Sequence, residues 1–352
     1  NLLYKLILNK IYLMKNIALI TGILGQDGAY LAEFLLNKNY KVIGISRNLN
    51  SLKKWRLKKL NIESKVILER KDICKIKDIK FILKKYKINE IYNFAAQSYV
   101  NKSFALPLET IDVNASGVIK ILESVRIINP KIKFYQASSS EMFGNINSSS
   151  YKKEFNFNPQ SPYAISKLFS HHITRNYRNY YNLYAISGIL FNHESPLRDN
   201  TFVIKKIIVG LVKIYKKNIK VIELGNIYAR RDWGYAKDYI PQIWKMMQLR
   251  EPKDFILATG KTHSIKELIN IATKYLKLKV KWTGKGLNEK LIDKSSKKIF
   301  IRINNKLFRP SELNYSKGEV KKISKNLSWK SSVSLKNLVK IMIDDEIKSY
   351  KD

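Results

Sequence analysis

Tyr163 and Lys167 stand four residues apart, a spacing that puts a phenol and an ammonium on one face of a helix. An ammonium there favours the phenolate and lowers a pKa of about 10, so that the phenol can take a proton at neutral pH. The same Y-x-x-x-K pattern recurs at Tyr275–Lys279 with no glycine loop or strand around it, so the spacing alone carries no function. Upstream of Tyr163 stands ASSSEMFG, which offers hydroxyls at Ser138, Ser139 and Ser140 and a carboxylate at Glu141. A simple dehydrogenase needs the hydroxyl, the phenol and the ammonium but has no use for the carboxylate. A carboxylate beside a newly made ketone can remove the proton alpha to it, so the set points to oxidation coupled to elimination.

A second constellation is TGILGQDG, with Gly22, Gly25 and Gly28 directly after an apolar run and at the opening of a helical pattern. Glycines at this spacing allow a tight turn, close approach of a pyrophosphate and close helix–strand packing, and the helix N-terminus then faces the phosphates. Gln26 and Asp27 lie inside this loop and join the cofactor-binding set. The next strand ends in GISRNLN, with Arg47 where an NAD site usually places an acid. A guanidinium suits a 2′-phosphate, so NADP is the expected cofactor. Asp72 and Ile73 follow the third strand, where an adenine would lie. Ala95, Ala96, Gln97 and Ser98 follow the fourth, where small residues let a dinucleotide pass.

The elements that must position these groups alternate. Strands are expected at Ile17–Thr21, Val42–Ile45, Val66–Glu69, Ile91–Phe94, Ile132–Ala137 and Ala185–Phe191. Helices are expected at Gly25–Leu36, Ile76–Tyr86, Thr110–Ile128 and Tyr163–Tyr181. That order implies an α/β fold with a doubly wound parallel sheet, Rossmann-like. Beyond Phe191 the regularity weakens: helices are expected at Thr201–Tyr215, Ser264–Leu276 and Leu335–Tyr350, and loops over Lys281–Lys298. The expected division is a nucleotide-binding domain over 14–191 with a return segment near 228–259, and a smaller, discontinuous substrate lobe over 192–227 and 260–352. Residues 1–13 precede Met14 and are expected to be an upstream extension.

The chain has 352 residues, a single cysteine and no apolar run long enough for a membrane span, so a reducing, cytoplasmic setting is expected. With four His and one Cys, no metal site is indicated. The formal net charge is +38, yet it comes from 54 Lys and only 12 Arg spread along the chain. Base readout and bidentate phosphate grip favour Arg, so a nucleic-acid partner is disfavoured, while a phosphate-rich ligand would benefit from the field.

From Met14 to about residue 345 the sequence resembles the GDP-mannose 4,6-dehydratases, of the extended short-chain dehydrogenase type. The resemblance rests on ALITGILGQDGAYLAEFLL, FYQASSSEMFG, SPYAISKL, GILFNHESP, RDWGYAKDY, FILATG and FRPSE. It implies GDP-mannose as substrate, a homo-oligomer, and a reaction in which Tyr163 takes the C4 hydroxyl proton, Glu141 the C5 proton, and Ser139 holds the C4 oxygen. It also implies that His193 and Arg198 touch the cofactor, and that Asn192, Lys206, Arg231, Arg309 and Glu312 hold the GDP-sugar. Against the family pattern, Ser139 replaces a Thr, Asn48 a second basic residue, Ala95 a Gly, Tyr99 a His and Glu109 a Tyr. The rival readings are a 4-epimerase or 4-keto reductase on another nucleotide sugar, and a non-catalytic basic binding protein of the same fold.

Overall fold

The computed structural model describes residues 16–145, 156–218, 221–309, 311–320 and 327–350. The segment 1–13 lies outside them. A seven-stranded sheet, parallel throughout, forms from apolar runs buried on both faces. Its strands are β1 (Ile17–Thr21), β2 (Lys41–Ser46), β3 (Ile67–Arg70), β4 (Glu90–Asn93), β5 (Lys133–Ser139), β6 (Ala185–Leu190) and β11 (Phe255–Leu257), in the order β11-β6-β5-β4-β1-β2-β3. Helices α1 (Gln26–Leu36) and α7 (Ala236–Met247) pack on one face, burying Leu31, Leu35, Ile240 and Ile243. Helices α2 (Ile76–Lys85), α4 (Gly117–Ile128) and α5 (Pro162–Tyr181) cover the other through Ile79, Ile82, Ile121, Val125 and Tyr177. The strand order reverses between β1 and β4, which opens a crevice above their carboxyl ends. Thr21, Asn93 and Gln136 fix the edge of that crevice: Thr21 Oγ lies 2.5 Å from Asn93 Oδ1, and Asn93 Nδ2 donates to Gln136 Oε1 at 2.7 Å.

The expected helix over Thr110–Ile128 is interrupted. Short α3 (Pro107–Ile111) runs through one π-helical turn at Asp112–Ser116 before α4 begins. The wide turn places buried Asn114 so that its amide holds both the N–H and the C=O of Gln97, at 2.8 and 3.0 Å. A local distortion of this kind is set by tertiary partners and leaves no periodic mark in the sequence.

After β6 come short β7 (His193–Glu194), α6 (Val203–Tyr215) and β8 (Ile222–Leu224). Strands β9 (Arg230–Arg231) and β10 (Gly234–Tyr235) lead into α7 and β11, and β12 (His263–Ser264) into α8 (Ile265–Tyr275). The expected loop over Lys281–Lys298 is instead strand pairing. β13 (Val280–Thr283) and β14 (Lys290–Asp293) run antiparallel and join β15 (Ile299–Ile303), which pairs with β8. Only one face of this small sheet meets the core, so Leu291 is buried beside exposed Lys290, and a Lys-rich outer face masks the alternation. Helices α6, α8 and α9 (Leu335–Ser349) pack on it through Ile208, Leu268, Ile269, Val339 and Met342. Short β16 (Tyr315–Ser316) runs parallel to β9.

Candidate active site

A cleft of about 570 Å³ runs from the carboxyl edge of the large sheet to the small sheet. The end beside the start of α1 is built on glycine. Gly22 takes φ +68°, and a Cβ there would lie 2.7 Å from the Ala95 nitrogen. A Cβ on Gly28 would lie 2.4 Å from the Gly22 carbonyl oxygen and 2.7 Å from Ile23 Cα. Side chains are excluded at both places by backbone, which leaves a cradle open beside the start of α1. No side chain caps α1 at Gly25, so the first N–H groups of the helix remain available for an anion. The residues therefore fit a bound dinucleotide.

Behind the cradle lies a buried polar knot. His193 Nε2 meets Asp27 Oδ2 at 2.9 Å, its Nδ1 meets the Phe191 carbonyl at 2.7 Å, and its ring stacks on Tyr239. Burial raises the Asp27 carboxyl and lowers His193, but their mutual attraction outweighs it, leaving Asp27 below and His193 above the ordinary value. Gln26 donates to the His193 carbonyl at 3.2 Å and accepts from Ser195 at 2.7 Å. Arg198 lies flat over Phe202, 3.5 Å from the ring centre, and 3.3 Å from Glu194. His193 thus has both ring nitrogens engaged within the protein while its edge lines the cleft.

The expected catalytic residues sit where β5 ends and α5 begins. Ser161 caps α5 by accepting from Ala164 N–H at 3.1 Å, and Pro162 fits the first turn, so Tyr163 is presented at the helix mouth. Lys167, one turn on, donates to the Ala137 carbonyl at 2.9 Å, and its ammonium lies 5.9 Å from the Tyr163 ring centre. Burial pulls Lys167 down to about 8. Burial also pushes the Tyr163 phenol up to about 12, partly offset by a hydrogen bond from Ser139. The expectation that the ammonium of Lys167 lowers the phenol is not met here: burial dominates and holds Tyr163 above its ordinary value. Glu141 follows Ser139 in a short 3₁₀ turn, its N–H donating to Ser139 Oγ at 3.2 Å, and its carboxylate meets Arg309 Nη1 at 3.3 Å.

Ser139, Glu141, Tyr163, Lys167, Ala95, Ala96, Ser98, Asp72, Ile73 and Arg47 all line this one cleft. Gln97 does not line it. Its amide is spent on Tyr99 and Thr110, at 2.8 to 3.2 Å, bracing the loop after β4 from inside. At the far end stand Asn192, Lys206, Arg231, Arg309 and Glu312. Lys206 donates to the Glu223 carbonyl at 2.7 Å, and Arg231 lies 3.9 Å from Glu312. Burial draws the Arg231 guanidinium down to about 10, with Glu141 opposing that fall.

Much of RDWGYAKDY is scaffold. Buried Asp232 accepts from Thr259 N–H (2.9 Å) and hydroxyl (2.6 Å) and from Gly260 N–H (2.8 Å), tying β9 to the end of β11. Asp238 accepts from Ser332 N–H at 2.9 Å and its hydroxyl at 2.9 Å. The sequence reading missed Lys71, Asn226, Phe202 and Trp233 in the lining. Lys71 sits one residue before Asp72, so a wider window after β3 could have found it; Trp233 stood inside RDWGYAKDY and Phe202 in the expected helix over Thr201–Tyr215, and only Asn226 sits in a turn with no motif of its own.

The profile of the GDP-mannose 4,6 dehydratase family matches residues 19–342. The chain is similar to GDP-mannose 4,6 dehydratase of Drosophila melanogaster, 40% identical over 339 residues, spanning 94% of this chain and 86% of that protein. It is similar to GDP-mannose 4,6 dehydratase of Homo sapiens at 40% identity over 342 residues, 95% of this chain and 92% of that one. In fold it is similar to dTDP-glucose 4,6-dehydratase of Bacillus anthracis, solved with NAD, at a TM-score of 0.77 and 18% identity, covering 96% and 98% of the two chains. With the family profile spanning nearly all of the chain and near-full-length relatives 40% identical, this chain belongs to the GDP-mannose 4,6-dehydratase family.

Proposed function

We infer that this chain converts GDP-mannose to GDP-4-keto-6-deoxymannose, with NADP as a recycled cofactor and loss of water, and is therefore a hydro-lyase. The observation that carries this is the carboxylate of Glu141 beside Ser139, Tyr163 and Lys167 in a single cleft, facing the guanidinium of Arg309. Held at the glycine cradle, the nicotinamide cofactor would supply a hydride acceptor and donor for the sugar and, in its oxidised form, positive charge in the cleft.

The protein's own groups do the rest. Gly22, Gly25 and Gly28 leave room for the pyrophosphate at the α1 N-terminus, and Arg47 meets the 2′-phosphate. Tyr163 takes the proton of the C4 hydroxyl, with Ser139 holding the oxygen; the phenol at about 12 needs added positive charge before it serves as a base near neutral pH. Lys167 keeps its ammonium in the site, anchored on Ala137. Glu141 removes the C5 proton once C4 is a ketone and passes it to the departing C6 hydroxyl, which leaves as water; the proton held by Tyr163 then goes to C5 as hydride arrives at C6, so atoms and charge balance. Arg231, Arg309 and Lys206 place cations where a diphosphate binds, and Asn192 and Glu312 offer polar partners to sugar and ribose. His193 and Arg198 shape the nicotinamide end, and Gln97 acts there only through the loop it braces.

The 14–191 and 228–259 segments then form the nucleotide-binding unit, and 192–227 with 260–352 the sugar-nucleotide lobe. Exposed Leu108, Ile111, Ile165 and Phe169 on α3 and α5 suit a homo-oligomer. Among the described residues no helix is long and apolar enough to cross a membrane, and we place the protein in the cytoplasm. The test is to incubate GDP-mannose with the protein and substoichiometric NADP and follow the sugar by NMR. A 4-keto-6-deoxy product without net cofactor consumption is expected; steady consumption of NADPH with a reduced product would overturn the assignment.

A further inference from the structure

We propose that Glu109 sets the cofactor selectivity of this chain by partly neutralising Arg47, so that the preference for a 2′-phosphorylated dinucleotide is weaker than Arg47 alone would give. This rests on Arg47 as the group that meets the 2′-phosphate.

Arg47 sits at the end of β2, at the rim of the cleft beside Ser46, Lys71 and Asp72. Its side chain is 58% exposed, and Nη2 lies 3.8 Å from Glu109 Oε1. The other carboxylate oxygen, Oε2, accepts from Lys102 Nζ at 3.1 Å, which fixes Glu109 in place. At 3.8 Å the Arg47–Glu109 contact is too long for a hydrogen bond. Glu109 therefore acts on Arg47 through charge and does not orient it, so removing Glu109 costs no alignment. Lys71 is itself engaged, 3.6 Å from Asp78, which leaves Arg47 as the more open cation of this rim.

A phosphate monoester carries nearly two negative charges at neutral pH. It must share Arg47 with the Glu109 carboxylate and is repelled by that carboxylate. A dinucleotide with a free 2′-hydroxyl meets neither effect. Exposed ion pairs are weak and screened, so the expected effect is on the order of two- to fivefold in affinity.

The experiment titrates the full chain and its Glu109→Gln and Arg47→Ala variants with NADPH and with NADH, reading the fluorescence of the reduced nicotinamide. Glu109→Gln should bind NADPH about two- to fivefold tighter, with NADH within about 1.5-fold of wild type and the gain shrinking at high salt. Unchanged or weaker NADPH binding, or equal tightening of both cofactors, overturns the proposal. If Arg47→Ala loses the NADPH preference while Glu109→Gln gains nothing, only the role of Glu109 fails. If Arg47→Ala keeps the NADPH preference, the 2′-phosphate reading of Arg47 fails with it.

Discussion

Replacing Asp232 by Ala removes the acceptor for four hydrogen bonds: Thr259 N–H at 2.9 Å and its hydroxyl at 2.6 Å, Gly260 N–H at 2.8 Å and Gly318 N–H at 3.2 Å. Three of the donors are main-chain groups that cannot turn elsewhere. Leaving a buried donor unpaired costs about 1–3 kcal/mol. Thr259 and Gly260 are only half-buried, so water recovers part of this. Removing a carboxylate that burial already disfavours recovers more. The net loss is then about 3 kcal/mol, a large share of the margin by which a protein is stable. For a chain of this size roughly 2 °C of melting temperature accompanies each kcal/mol, so Asp232→Ala should melt about 6 °C below wild type. Asp232→Asn keeps one acceptor oxygen and should lose about half as much. Because Asp232 adjoins Arg231 on β9, the Ala variant should also bind GDP-mannose more weakly. Calorimetry with parallel substrate titration is the assay. An Ala variant melting within about 1 °C of wild type, with unchanged substrate affinity, would refute the reasoning that this motif is chiefly scaffold.

Further outcomes follow from the same geometry. Gly28→Ala places a Cβ 2.4 Å from the Gly22 carbonyl oxygen, so it should weaken NADPH binding at least tenfold by fluorescence titration and cost about 1–3 kcal/mol of stability. Lys167 is drawn down to about 8, so kcat/KM should fall as pH rises through about 8, and Lys167→Met should be feeble and lack that limb. The sign for stability is opposite. The unfolded chain holds this proton up to the ordinary value of 10.5, so the contribution of Lys167 to stability grows between about 8 and 10.5, measurable by denaturant titration across that range. Arg309→Met should raise the KM for GDP-mannose about tenfold or more, as expected for a lost cation on a diphosphate. It should change NADPH affinity little.

The nucleotide half of the fold was legible because a parallel sheet buried on both faces leaves uninterrupted apolar runs such as Ile17–Thr21. The glycine loop was legible for a steric reason: at Gly22 and Gly28 any Cβ meets backbone. The small sheet was not, since β13 and β14 bury one face only and carry Lys281 and Lys290 on the other. The Tyr163–Lys167 pair was readable as geometry but not as electrostatics, because the burial that pushes the phenol up is a property of the folded site. Gln97 stood in the right loop, yet its amide turns inward to Thr110, a choice made by the π-helical turn that holds Asn114. Glu109 was visible as an odd residue, but its place 3.8 Å from Arg47, on a different element, is a property of the folded chain.

The most direct test of the account is Glu141→Gln assayed on GDP-mannose with stoichiometric NADP. The variant keeps the shape of the side chain and its contact with Arg309 but loses the base. Oxidation at C4 should persist, seen as NADPH that forms and stays, while formation of the 4-keto-6-deoxy product falls at least about a hundredfold, the usual share of a general base. Dehydration at the wild-type rate would contradict the account and move the base to another residue.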